Sequence, residues 1–379
     1  MTDTALARLA HLATPALILD ESRMLRNVRR LRDHLGPLGV TIRPHLKTVK
    51  SVDAARRILD GGNGPATVST LKEAETFAAA GVTDILYAVG IAPDKLDRVR
   101  AIRAGGCDLS ITLDTAEQAE AVVSAATARG GPIPTLIEID CDNHRAGLDP
   151  RDPALVRIRR ILAGASCLAG VMTHAGESYK AVGAEAQAAC AEVERQAVVV
   201  AAETLEAAGL ACPVRSVGAT PTAHFARDLT GVTEVRAGVY VLFDLVMAGT
   251  GTCTVDDIAL SVATTVIGHQ AAKGWTMIDA GWMALSRDRG TAAQAVDQGY
   301  GLVCDIEGRV LDDLFVLSAN QEHGIVASRG RPAPPLPIGT RLRILPNHAC
   351  ATGCQHDGYH VIPVGEPGGL AYWPRFRGW

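Results

Sequence analysis

Short apolar runs alternate with helical stretches over the first two thirds of the chain. β-Branched and apolar runs at 40–43, 66–69, 84–88, 108–113, 135–140, 168–173, 214–218 and 234–236 predict eight strands. Between most of them lie alanine- and leucine-rich segments with helical spacing, including 71–80, 115–129 and 185–208. The last connection, between the seventh and eighth runs, has room for only a very short helix. Eight parallel strands with mostly helical crossovers predict a closed (β/α)8 barrel of the α/β class. An open sheet is disfavoured because no G-x-G-x-x-G follows the first strand.

Beyond residue 248 the pattern changes. Runs at 258–268, 274–281, 314–319 and 341–347 are separated by turns and Gly/Pro clusters, which predicts an antiparallel β domain. The early run at 15–20, "PALILD", precedes the first barrel helix and is expected to pair with that domain. The expected division is a barrel over 22–250 and a β domain over 251–379 that also takes in a strand at 14–20. No internal repeat or low-complexity segment is visible.

Composition narrows the class. The 379 residues carry 37 Lys+Arg against 41 Asp+Glu, so nothing suggests a nucleic-acid footprint. Hydrophobic content is 47% but aromatics are only 4%, which suits parallel strands packed under helices by Ala, Val, Leu and Ile. No run reaches the length of a membrane span, and no basic segment followed by an apolar one opens the chain. The nine cysteines are odd in number, scattered and without a C-x-x-C pair, as expected of reduced thiols in a cytoplasmic protein.

A barrel of this kind works at the carboxyl ends of its strands and commonly binds phosphate after strands seven and eight. In "VTIRPHLKTVKS" the first strand stops near Pro44, which removes a ladder donor, and His45, Lys47 and Lys50 follow it. The two lysines are either solvated or one of them is catalytic. "IEIDCDNHRAG" places Asp140, His144 and Arg145 after strand five, and "MTHAGESY" places His174 and Tyr179 after strand six. "SVGATPT" places Gly218, Ala219 and Thr220 after strand seven, and "EVRAGVYVLFD" places Arg236, Gly238 and Tyr240 at the end of strand eight.

The last two groups suit a phosphate, since glycine admits close backbone approach and Thr220 adds a hydroxyl. A phosphate cup and a lysine in one barrel mouth suggest pyridoxal phosphate, whose aldehyde reacts with a nucleophilic lysine. Arg145 either faces the pyridine nitrogen or bridges to Asp140 or Asp142. In "PNHACATG", His348 and Cys350 share one face of an extended chain, and imidazole plus thiolate suits zinc. Asp279 and His323 are candidates to join them, or else a turn residue and a loop hydrogen-bonding group.

Together "RPHLKTVKS", "VSTLKEAE", "THAG", "SVGATPTA", "EVRAGVYVLFDL", "DAGWMALSRDRG", "NQEHG" and "LPNHACATG" resemble the fold type III, metal-activated D-serine dehydratase-like enzymes. The motifs run in order over nearly the whole chain. The resemblance implies an alanine-racemase-like barrel plus β domain, pyridoxal 5'-phosphate, a divalent metal (Zn, Mn, Mg or Co) and a homodimer. It implies Lys47 as the Schiff-base lysine and Arg145 beside the pyridine nitrogen. Gly218, Thr220, Gly238 and Tyr240 match its phosphate loops, and His348 with Cys350 matches its metal pair.

The implied reaction is the conversion of a D-β-hydroxy amino acid, D-threo-3-hydroxyaspartate or D-serine, to a keto acid and ammonia. Two alternatives stand beside it. A more distant likeness to D-threonine aldolases implies retro-aldol cleavage to glycine and an aldehyde, although those enzymes carry His-x-Asp where this chain has His-x-Cys. A carrier of pyridoxal phosphate without turnover is the other. A hydroxyaspartate brings a second carboxylate, for which Arg287, Arg289 and His323 are candidate partners.

Overall fold

The computed structural model describes residues 3–128, 131–330, 336–365 and 369–379. It divides into two compact units, one of Arg30–Gly238 with Arg377–Trp379, the other of Met1–Arg29 with Val239–Phe376.

The first unit is a parallel eight-stranded barrel. Its strands are β1 (Thr41–Pro44), β2 (Ala66–Val68), β3 (Asp84–Gly90), β4 (Asp108–Leu113), β5 (Thr135–Ile139), β6 (Leu168–Thr173), β7 (Val214–Val217) and β8 (Glu234–Ala237). They pair in the order β1-β8-β7-β6-β5-β4-β3-β2, and a single bridge between His45 and Thr67 joins β1 to β2. The helices that concern the site are α1 (Val52–Ile58), α2 (Leu71–Ala79), α3 (Leu96–Ala104), α4 (Ala116–Ala128), α5 (Pro153–Ala163), α6 (Ala184–Ala207) and the six-residue α7 (Thr220–Phe225). Parallel strands covered by helices bury both faces, and β5 is buried at every position.

Pro44 ends β1 as its missing N–H requires, and the next donor, the N–H of His45, pairs with the Ala237 carbonyl at 2.7 Å. The inside of the barrel is not wholly apolar. Arg43 donates to Glu234 Oε2 at 2.8 Å and to Asp84 Oδ1 at 2.6 Å, while Ser216 Oγ donates to Glu234 Oε1 at 2.7 Å. Arg236 Nε donates to Ser216 Oγ at 2.8 Å, and the same guanidinium also reaches the Thr173 carbonyl. Buried charges of this kind are tolerated only when paired, and here each cation has an acceptor.

In the second unit the strands β9 (Leu260–Gln270), β10 (Trp275–Ile278), β11 (Leu302–Asp305), β12 (Val310–Ala319), β13 (Gly324–Ser328) and β14 (Arg341–Leu345) pair antiparallel. They follow the order β10-β13-β12-β11-β14-β9, and β10 also pairs with β9, which closes a ring. The N-terminal strand Ala16–Asp20 lies antiparallel to β9, and parallel to Gly358–Ile362 on its other side. It falls in the second unit. No described helix is long and apolar enough to cross a membrane.

Candidate active site

The two lysines after β1 have different fates. Lys50 adopts φ +42°, and its Nζ lies 3.1 Å from Oε1 of the fully buried Glu73 on α2. The other oxygen of Glu73 accepts the Ser69 N–H at 2.8 Å. Lys47 sits in the single turn Leu46–Thr48, exposed, and among the described residues its amine forms no hydrogen bond or ion pair. Sequence spacing alone could not separate the two. The carboxylate on α2 does.

Around Lys47 the barrel end is cationic. His45 and His174 feel the positive charges of Lys47 and Arg236, and His174 feels that of Arg145 as well. Burial, reinforced by these cations, holds His45 neutral well below the ordinary imidazole value. The His45 Nε2 lies 3.4 Å from Ser69 Oγ. His174 is driven down to about 3, first by burial and then by Arg236 and Lys47, against a hydrogen bond to a carbonyl. That bond runs from Nδ1 to the Gly218 oxygen at 2.7 Å, so Nδ1 carries the proton and Nε2 is left as an acceptor. Tyr179 flanks the same imidazole, with ring centroids 6.2 Å apart.

A neutral His174 makes stability depend on pH. The folded state excludes a proton that the unfolded chain binds below about pH 6.5, so stability is full above that value and falls toward pH 3. The slope is at most about 1.4 kcal/mol per pH unit for one proton. In thermal melts at about pH 7 and pH 5, wild type is expected to lose more stability than His174→Gln. Equal losses would refute the assignment.

Gly218 ends the strand side of the β7–α7 turn, where any Cβ would fall 1.8 Å from the Arg236 carbonyl oxygen. Ala219 is the buried N-cap of α7, and Thr220 opens the helix fully buried with its hydroxyl unpartnered. An orphaned buried hydroxyl in a cationic mouth fits an anionic group such as a phosphate. Gly238 faces the lysine turn, since a Cβ there would meet Thr48 Oγ1 at 3.0 Å and His45 Cβ at 3.1 Å. Tyr240 belongs to the other unit, buried in the turn Val239–Val241.

Arg145 follows β5, largely exposed, with its guanidinium 3.5 Å from Glu138. The alternative bridge to Asp140 or Asp142 does not form. Asp140 Oδ1 instead accepts the N–H groups of Asp142 and Asn143, and Asp142 accepts that of Glu177. Short acidic side chains in a turn satisfy nearby backbone donors before they reach a distant arginine.

In the β unit, His348 and Cys350 lie side by side and are hydrogen-bonded to each other. His348 Nδ1 meets Asp288 Oδ2 at 2.6 Å. A carboxylate behind a histidine fixes the ring for metal binding, and imidazole with thiolate suits a zinc-like cation. Burial opposes protonation of His348, yet its hydrogen bonds to Asp288 and Cys350 prevail and push it up to about 11. The segment is pinned on both sides of the histidine. Asn347 donates to the Gly299 carbonyl at 2.6 Å, and buried Asp244 accepts the Ala349 N–H at 2.9 Å. Among the described residues no three His, Cys, Asp or Glu side chains converge as a metal cage. The pair offers two donors of the kind such a cation takes.

Asp279 and His323 are not part of this arrangement. Asp279 accepts from Thr14 at 2.5 Å, from Thr264 at 2.6 Å and from the Thr265 N–H at 2.8 Å. His323 is exposed in a turn. Asp288, nine residues after Asp279 in "DAGWMALSRDRG", is the carboxylate that meets His348. Of the arginines considered for a second substrate carboxylate, Arg289 is paired with Asp297 at 2.5 Å, and Arg287 lies 4.3 Å over the Trp282 ring.

Fold and side chains together describe a two-unit enzyme with an orphaned buried hydroxyl and, among the described residues, an unpaired lysine in one unit and an oriented imidazole–thiol pair in the other. Residues 19–245 match the alanine racemase N-terminal domain, and residues 259–362 match a putative serine dehydratase domain. The chain belongs to this family of alanine-racemase-like enzymes with a serine dehydratase domain. It is 52% identical to the D-threo-3-hydroxyaspartate dehydratase of Delftia sp. (strain HT23), covering 100% of both chains. A mutant of a D-threo-3-hydroxyaspartate dehydratase, solved in a metal-free form, superposes with a TM-score of 0.95 at 52% identity, covering 98% of this chain and 99% of that one. The 3-hydroxy-D-aspartate aldolase of Paracoccus denitrificans (strain Pd 1222) is 29% identical over 94% of this chain and 90% of its own length.

Proposed function

We propose that the chain is a pyridoxal-phosphate- and divalent-metal-dependent dehydratase of D-β-hydroxy amino acids. It converts D-threo-3-hydroxyaspartate to oxaloacetate and ammonia, or D-serine to pyruvate and ammonia. The observation that carries the reading is the 52% identity to a D-threo-3-hydroxyaspartate dehydratase over the full length of both chains, against 29% to the aldolase.

The side chains suit that chemistry. Lys47 would hold the cofactor through its unpaired amine and, once released, take the proton from Cα. Gly218, Ala219 and Thr220 would receive the phosphate, and Arg145 would stand beside the pyridine ring. Pyridoxal phosphate, when bound, supplies a sink for the electrons left on Cα. Neutral His174 keeps an acceptor nitrogen in the mouth, and the cations Lys47, Arg236 and Arg145 favour anionic ligands over bare water. His348 and Cys350 would hold the divalent metal, with Asp288 fixing the imidazole. That cation supplies Lewis acidity for departure of the β-hydroxyl.

Product analysis tests this. The protein is incubated with pyridoxal phosphate, a divalent metal and each of D-serine, D-threo-3-hydroxyaspartate and D-threonine. Ammonia in equal amount with pyruvate or oxaloacetate is the expected result. Glycine with an aldehyde would replace the dehydratase by an aldolase. Retained cofactor with no product from any substrate would leave a carrier.

A further inference from the structure

Glu194 lies midway along α6, on the helical layer of the barrel, and is fully buried. Its Oε1 accepts the Ala175 N–H at 3.0 Å and the Gly218 N–H at 2.9 Å, and its Oε2 accepts the Thr222 hydroxyl at 2.7 Å. Two loop N–H groups and a hydroxyl of α7 therefore converge on one carboxylate. Ala175 directly follows His174, whose Nδ1 donates to the carbonyl of the same Gly218. Gly218 is thus held at both its N–H and its C=O, one by Glu194 and the other by His174. Thr222 completes the clamp, since its oxygen also receives the Ala219 N–H at 3.3 Å. The one hydroxyl of this turn left without a partner is that of Thr220, buried between the residues Glu194 secures.

A buried carboxylate close to a phosphate site would ordinarily repel the ligand. Here its oxygens are spent on the turn's own donors, and it lies in the field of the buried Arg236. The cost of burying the charge is offset by fixing a backbone turn that has no regular ladder of its own.

We infer that Glu194 is a positioning residue that preorganises the Gly218–Thr222 turn to receive the phosphate of the cofactor. The inference rests on the functional reading above, because that reading supplies the phosphate. Its mark is selectivity: losing the clamp weakens binding of the phosphorylated cofactor and spares its dephosphorylated form, pyridoxal.

Equilibrium dialysis of wild type, Glu194→Ala and Glu194→Gln with pyridoxal 5'-phosphate and with pyridoxal provides the test. Glu194→Ala is expected to weaken the phosphate ester by about tenfold or more, with pyridoxal changed less than about twofold. Glu194→Gln, whose amide oxygen still accepts both N–H groups, is expected to recover part of the difference. Equal loss for both ligands, or loss for neither, would overturn the inference. If Glu194→Ala does not fold, Thr222→Val against Thr222→Ser reads the same clamp. Thr222→Val must then lose the preference for the phosphate ester and Thr222→Ser keep it, and any other result overturns the inference. Wild type that binds the two ligands equally would remove the functional reading itself, and the inference with it.

Discussion

Replacing Lys47 with alanine is expected to lower ammonia release from a D-β-hydroxy amino acid by about a thousandfold or more, since in the proposed function one amine both holds the cofactor and moves a proton. The structural basis is the contrast with Lys50, three residues on. The Lys50 amine is committed to Glu73 at 3.1 Å, and withdrawing it would leave a fully buried carboxylate unpaired. Lys47 has no such commitment among the described residues, and it follows directly on the strand that Pro44 ends. Lys50→Ala is therefore the matched control. It is expected to cost stability, on the order of 1–3 kcal/mol, while still retaining cofactor through dialysis. Ammonia assays and cofactor retention separate the two variants. Undiminished turnover in Lys47→Ala, with cofactor and metal present, would sink the assignment.

The difference between these lysines shows what a sequence carries and what it does not. The strand at 108–113 is read from its period and found at Asp108–Leu113, and the one at 168–173 is found at Leu168–Thr173. Such elements are local, because alternation and β-branching bear on the backbone where they occur. The short run before the barrel was legible for the same reason, and its apolar face explains its place beside β9. Pairing between distant side chains has no local signature. Glu194 is one of five glutamates in a long alanine-rich helix, with nothing in the sequence to set it apart, yet the fold buries it against two loops. Asp288 is 60 residues from His348, and the motif that contains it suggested Asp279 instead. What decides between them is that three threonines already satisfy Asp279. Arg145 makes the same point, since its acceptor, Glu138, projects from the strand before it, not from the acidic turn beside it. A carboxylate's role is set by which donors the fold brings to it, and that is the part composition and spacing omit.

The second large effect belongs to the pair proposed to hold the metal. Cys350→Ala is expected to cut turnover by about a hundredfold or more, and chelation of wild type should do the same, reversibly on return of a divalent cation. Two side chains, His348 and Cys350, face each other, and losing the thiol leaves a lone imidazole that cannot hold a cation in a fixed position. Asp288→Asn should be milder, because it alters the hydrogen bond at His348 Nδ1 and leaves both donors, so cation affinity should fall by about 10–100-fold. Excess cation should then restore turnover to Asp288→Asn and fail to restore it to Cys350→Ala. Affinity for the cation is read by competition with a chromophoric chelator, and ammonia release is read in parallel. Full turnover and unchanged cation affinity in Cys350→Ala would remove the thiol from the site. A loss in Asp288→Asn that excess cation fails to reverse would mean that Asp288 acts on the reaction and not on the ring of His348.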